Sequence, residues 1–172
     1  MKKIGFFGGC FNPVTNIHIT IAYDLIKHGK VDEVIFIPVN DFYKKKGLVN
    51  EKHRYKMLKL AIQGYNKMQV DDVEIKENRK LYAVDIFEII KNIYKEAEIF
   101  MIMGSDNFEK MSRWKGYDKI KNDYKYIVIK RDKTAISSTK IREMIKNDDE
   151  NVKEYLGKEV YEYITKNKLY MS

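Results

Sequence analysis

Short, unbroken apolar runs alternate along this chain with stretches of helical periodicity, and that alternation constrains its fold more than any other feature. Ile4 to Phe7, Val34 to Val39, Val73 to Ile75, Ile99 to Met103 and Tyr126 to Ile129 read as strands. Several are apolar at consecutive positions, as strands covered on both faces are. Between them, His18, Ile21, Ala22 and Leu25 share a helical stripe, and so do Tyr55, Leu58, Ala61 and Ile62. Ile86, Ile89, Ile90 and Ile93 repeat at i, i+3, i+4 and i+7. Beyond the last strand, Ile141, Met144 and Ile145, then Val152, Tyr155, Leu156, Val160, Tyr163 and Ile164, continue the helical spacing. The pattern predicts an α/β fold, a doubly wound parallel sheet of about five strands with a helical part over about 137–172. A length of 172 residues fits one domain spanning the whole chain.

Composition narrows the class. A chain that is 44% hydrophobic and 34% charged is not disordered. No apolar run approaches the roughly 20 residues a membrane helix needs, so no membrane association is expected. Cys10 is the only cysteine, which excludes an internal disulfide and a cysteine-rich zinc module. The opening MKKIGFFGGCF imitates a lipoprotein leader, but Asn12-Pro13 cuts its apolar run short, so a cytoplasmic protein is expected. The net charge of +8 attracts anions. The lysines lie in runs spread over the whole chain, which favours a solvated surface over a nucleic-acid stripe. An RNA-binding role rests on charge alone, and no nucleic acid is expected as a partner.

Ligands of such sheets sit beyond the carboxyl ends of the strands. After the first strand comes Gly8-Gly9-Cys10-Phe11-Asn12-Pro13, leading to Thr15 and His18 at a helix start. Glycines admit a ligand close to backbone N–H groups, and a helix N-terminus favours phosphate. On spacing alone His18 reads first as a core histidine, on the stripe with Ile21, Ala22 and Leu25. After the fourth strand comes Met103-Gly104-Ser105-Asp106-Asn107, where Asp106 suits a ribose hydroxyl, or Ser105 or Asp106 an ordinary helix cap. The third segment, Ser137-Ser138-Thr139-Lys140-Ile141-Arg142, offers hydroxyls at a helix start with a guanidinium fork one turn on. Taken alone, the segment reads first as a plain cap beside a surface arginine. The three histidines show no metal spacing, and no nucleophilic triad is visible.

In order and spacing these segments resemble the nucleotidylyltransferase superfamily, with its Gly-[Ser/Thr]-Phe-[Asp/Asn]-Pro turn, [His/Thr]-x-Gly-His and later Ser-Ser/Ser-Thr…Arg. "KHRYKMLKLAI", "LYAVDIFEII", "MGSDNFEKMSRWKGYDKI", "ISSTKIREMI" and "VYEYITKNKLY" are similar to blocks of the bacterial nicotinate-nucleotide adenylyltransferase family. That resemblance implies transfer of AMP from ATP to nicotinate mononucleotide, with pyrophosphate leaving. It implies His18, Thr15, Lys45 and Arg142 as catalytic residues. Gly8, Gly9, Cys10, Phe11, His18, Gly104, Asp106, Ser138, Thr139 and Arg142 would bind ATP. Asn12, Lys45, Tyr82, Ala83 and Trp114 would bind the mononucleotide, with Trp114 stacked on its ring. Mg²⁺ would arrive with ATP and take no protein side chain as a ligand, and the resemblance leaves room for a homo-oligomer.

Three positions depart from the family pattern. Thr15 stands where the first histidine would, which points also to phosphopantetheine adenylyltransferase. Ile17 replaces the glycine before His18, so a shifted or weakened adenine is expected, down to a nucleotide-binding relative of low activity. Ala83 replaces a threonine, which bears on the choice between nicotinate and nicotinamide forms.

Overall fold

Five strands, Lys2–Gly9 (β1), Glu33–Pro38 (β2), Met68–Val70 (β3), Ala97–Gly104 (β4) and Lys125–Ile129 (β5), pair in parallel in the order β3-β2-β1-β4-β5. They are described by a computed structural model of all 172 residues. The helices are Asn16–Lys27 (α1), Glu51–Ala61 (α2), Val73–Lys76 (α3), Ala83–Ile93 (α4), Ser105–Lys110 (α5), Tyr117–Asp123 (α6), Ser138–Lys146 (α7) and Lys158–Lys166 (α8). Short 3-10 turns lie at Met111–Arg113 and Glu150–Glu154.

Strand β2 shows why the apolar runs are unbroken. Val34 and Phe36 enter the core under α1, α2, α7 and α8, while Ile35 and Ile37 enter the core under α4 and α6. All four are 0% exposed. Alternate side chains leave opposite faces of a strand, so a sheet roofed on both sides needs apolar residues at every position. In β1, Gly5 sits in a tight spot: a Cβ there would meet Ile102 Cδ1 at 2.7 Å and Val31 Cγ1 at 3.2 Å, so a larger residue would have to displace these side chains.

The expected strand at Val73–Ile75 is a correction. That segment is helix α3, and the third strand is Met68–Val70. Asp71 Oδ1 accepts the Val73 N–H at 2.9 Å and turns the chain out of the sheet one step earlier than the apolar pattern indicates. The face of α1 is also rotated from the expected stripe. Ile19, Ala22 and Leu25 are buried in the core, whereas His18 and Ile21 line a cavity.

Strand order reverses around β1, which has β2 on one side and β4 on the other. The crevice beyond the carboxyl ends of these strands is where such sheets take ligands.

Candidate active site

Two cavities open in that crevice, of about 440 Å³ and about 610 Å³. They meet at Cys10, Lys45 and Asn107, which line both.

The first cavity lies between the starts of α1 and α7. Neither helix has an acid in its first turn, so the positive dipole ends carry no neutralising carboxylate, although the Asn16 N–H already donates to the Tyr155 carbonyl at 2.9 Å. The turn from β1 delivers His18 to the wall. The Thr15 backbone N–H donates to His18 Nδ1 at 3.0 Å, and Thr15 Oγ1 lies 3.0 Å from the same nitrogen. An accepting Nδ1 puts the ring proton of the neutral imidazole on Nε2. Burial against Phe7 and Phe11 lowers the His18 pKa to about 4. His18 is therefore a neutral hydrogen-bond donor at physiological pH. It is not packed in the core as its stripe alone suggested.

Ser137 caps α7, accepting the Lys140 N–H at 3.2 Å. Ser138 Oγ donates to the Pro13 carbonyl at 3.1 Å. Arg142 Nη1 donates to the Asn12 carbonyl at 2.9 Å, and its Nη2 to Thr139 Oγ1 at 3.2 Å. Helix α7 is thus tied to the β1–α1 turn, with Ser138, Thr139 and Arg142 on one wall. The opposite wall carries Gly104 and Asp106. Neither Ser105 nor Asp106 caps α5; its N-cap is Gly104, without a side-chain bond. Ser105 Oγ accepts the Arg131 N–H at 3.3 Å, and Arg131 Nη1 lies 2.6 Å from Asp106 Oδ2. This hydrogen bond holds the Asp106 carboxyl below its usual range.

Ile17 also belongs to this cavity. It is 40% exposed and lines the cavity together with Ile21, Ile129 and Ile136.

The second cavity holds Tyr82, Ala83 and Trp114 together, as expected, with Lys45 at its mouth. Tyr82 caps α4, and its N–H donates to Asp85 Oδ2 at 2.9 Å. At the start of α4 the Asp85 N–H donates to the Tyr82 carbonyl at 2.9 Å, which leaves the N–H groups of Ala83 and Val84 ahead of the first helical hydrogen bond. Gly8 and Gly9 line this second cavity, not the first, where the ATP assignment expected them. Their neighbours Cys10 and Phe11 do line the first. Burial raises the Cys10 pKa, so this residue is a thiol rather than a thiolate nucleophile.

Asn12 is only 4% exposed, and its side chain is consumed by the scaffold. Nδ2 donates to the Gly47 carbonyl at 2.8 Å, and Oδ1 accepts from Val49 N–H at 3.2 Å and Tyr170 OH at 2.8 Å. It anchors the segment bearing Lys45 to the glycine turn.

Sequence reasoning missed several residues. Arg54 is fully buried and donates to the carbonyls of Val49 (2.8 Å) and Cys10 (3.0 Å) and to Asp41 Oδ1 (3.2 Å). Its place one turn before Leu58 on an apolar face was the available signal. Arg131 passed as one charge in a surface run. Glu74, flanked by Val73 and Ile75, passed as the exposed position of a strand.

The first cavity adds Lys130, Arg131 and Arg142 to Lys45; the second adds Lys80, Arg113 and Lys115. The arrangement fits two phosphorylated ligands end to end. Residues 6–144 match the family model described as cytidylyltransferase-like. The chain is 30% identical to the nicotinate-nucleotide adenylyltransferase of Bacillus subtilis, over 100% of both chains. It is 32% identical to the "Probable nicotinate-nucleotide adenylyltransferase" of Carboxydothermus hydrogenoformans, over 98% of each. The Plasmodium falciparum nicotinic acid mononucleotide adenylyltransferase, solved with NaAD, superposes with a TM-score of 0.82 at 19% identity, covering 99% of this chain and 98% of that one.

Proposed function

We propose, from the premise that this chain belongs to the nicotinate-nucleotide adenylyltransferases within the cytidylyltransferase-like family, that its two cavities hold ATP and nicotinate mononucleotide end to end. The observation that carries this reading is the junction. The cavities share Lys45, Cys10 and Asn107, so two phosphorylated ligands would bring their phosphates together there.

In the reaction, a phosphate oxygen of the mononucleotide attacks the α-phosphorus of ATP. The new P–O bond forms as the bond to the β-phosphate oxygen breaks, and pyrophosphate leaves with the electron pair. Such transfers need alignment and charge stabilisation rather than a protein nucleophile. A thiol at Cys10 and the neutral His18 agree with that. His18 Nε2–H donates to the phosphates as charge moves to the leaving group, and Thr15 fixes the tautomer from behind. Arg142, Ser138, Thr139 and the α7 N-terminus receive the β- and γ-phosphates. Lys45 spans both ligands. Trp114 and Tyr82 take the pyridine ring, with the α4 N–H groups at Ala83 facing its carboxylate. Magnesium enters as part of the nucleotide substrate and keeps most of its waters.

The test is pyrophosphate release by pure protein with Mg-ATP and nicotinate mononucleotide. His18→Ala is expected to run about 100- to 1,000-fold slower. Equal rates in the two proteins would overturn the assignment of His18. No release from folded wild-type protein would overturn the substrate assignment, and phosphopantetheine would be tried next.

A further inference from the structure

Glu74 is the only acid lining the second cavity, and it is 6% exposed. Its Oε1 accepts the backbone N–H of Asn40 at 3.3 Å, while Asn40 Nδ2 donates to the Glu74 carbonyl at 2.9 Å. The other carboxyl oxygen, Oε2, makes no hydrogen bond within the protein. No fully enclosed side-chain polar atom of the chain lacks a partner. Oε2 is therefore not fully enclosed, and the cavity is the open space that Glu74 lines. Buried polar groups are normally satisfied, so an open one in a cavity awaits a ligand.

We propose that Glu74 is a specificity-determining residue, which through its free Oε2 sets the choice between the acid and amide forms of the mononucleotide. The inference rests on the second cavity being the mononucleotide site. As an acid, Oε2–H can donate to a ligand oxygen and adds no charge. As a carboxylate it can only accept, and it places a negative charge beside a ligand that already carries a phosphate. The nicotinate form has one more negative charge than the nicotinamide form, so ionised Glu74 penalises it more. At Ala83 the cavity has no hydroxyl to offset that penalty.

Burial raises the Glu74 pKa to about 7, against the pull of the Asn40 N–H and of Arg54 and with the push of Glu51. Cys10 and Tyr43 interact with its charge, and Lys45, Lys80, Arg113 and Lys115 line the same cavity. The change of charge falls in the neutral range, where an ordinary glutamate would be ionised throughout.

The experiment measures kcat/KM for both mononucleotides with Mg-ATP at pH 6 and pH 8.5, in wild type and Glu74→Gln. The substrate phosphate titrates in both compounds, so it cancels in their ratio. In wild type the preference for the nicotinate form is expected to fall about tenfold on going to the higher pH. In Glu74→Gln the ratio is expected to hold within about twofold. A wild-type ratio that ignores pH, or an equal fall in the variant, overturns the proposal. If the variant does not fold, calorimetry of wild type in two buffers of different ionisation enthalpy decides. Greater proton uptake with the nicotinate form supports the proposal, and equal uptake overturns it. Wild type that binds both mononucleotides but turns over neither refutes the assigned reaction and leaves this calorimetric comparison to judge Glu74. If neither binds, both readings fall.

Discussion

Two titratable side chains of the crevice, half-buried His18 and buried Glu74, pull the pH dependence of folding in opposite directions. The His18 pKa drops from 6.5 to about 4. Between those values the unfolded chain holds a proton that the folded imidazole refuses, so this group makes stability rise with pH. The Glu74 pKa rises from 4.5 to about 7. Between those values the folded carboxyl keeps a proton that the unfolded chain has released, so this group makes stability fall as pH rises. Each effect reaches at most about 3 kcal/mol, and over pH 4.5–6.5 they offset each other. Removing one exposes the other. Glu74→Gln should show a urea midpoint that climbs from pH 4 to 6.5, and His18→Ala one that declines from pH 4.5 to 7. Midpoints that follow the wild-type curve in both variants would mean that neither burial governs titration. The chemistry of His18 was legible in the sequence only through resemblance, since its spacing fits the core as well. The Thr15 N–H bond to Nδ1 and the turn of α1 toward the cavity exist only once the chain is folded.

At the level of elements, most of the sheet could be read from the sequence, because β1, β2 and β4 lie between two roofs and need apolar residues throughout. The edge strand β3 could not. Three residues, Met68–Val70, pair only with β2, and an edge that short carries no more apolar signal than the Val73–Ile75 run beyond it. The hydrogen bond from Val73 N–H to Asp71 decides which of the two becomes helix. The role of α2 was hidden in the same way. Its apolar face promised only packing, yet it inserts Arg54 beneath the glycine turn. Arg54→Leu removes charged donors from the carbonyls of Val49 and Cys10 and keeps most of the volume. Its partner Asp41 is 41% exposed in its side chain and can rehydrate, so the loss is dominated by the stranded carbonyls. We expect about 3 kcal/mol of destabilisation, which in a domain of this size lowers Tm by roughly 6–12 °C. A Tm within about 2 °C of wild type would show that the glycine turn does not depend on α2.

On the scale of the molecule, the crevice is assembled from segments far apart in sequence, and Asn12 joins them. Its side chain receives Tyr170 from beyond α8 and holds Gly47 and Val49 beside the lysines, while its carbonyl takes Arg142 from α7. The C-terminal helical part therefore does more than cover the sheet, because it fixes the height of the segment that carries Lys45. Tyr170→Phe tests this by deleting one hydroxyl. Asn12 Oδ1 keeps the Val49 N–H, so it is not orphaned, and the cost should be about 1 kcal/mol, a Tm drop of roughly 2–4 °C. The Lys45 segment, held by fewer bonds, should position itself less often over the junction. KM for the mononucleotide is then expected to rise a few fold, while kcat at saturation stays within about twofold, because a bound ligand restores the segment. The phenol, whose pKa is raised by burial, is neutral over the assay range, so the effect should be independent of pH between 6 and 9. A KM equal to wild type alongside the expected loss of Tm would separate the two ends of the chain and leave Asn12 a purely structural anchor.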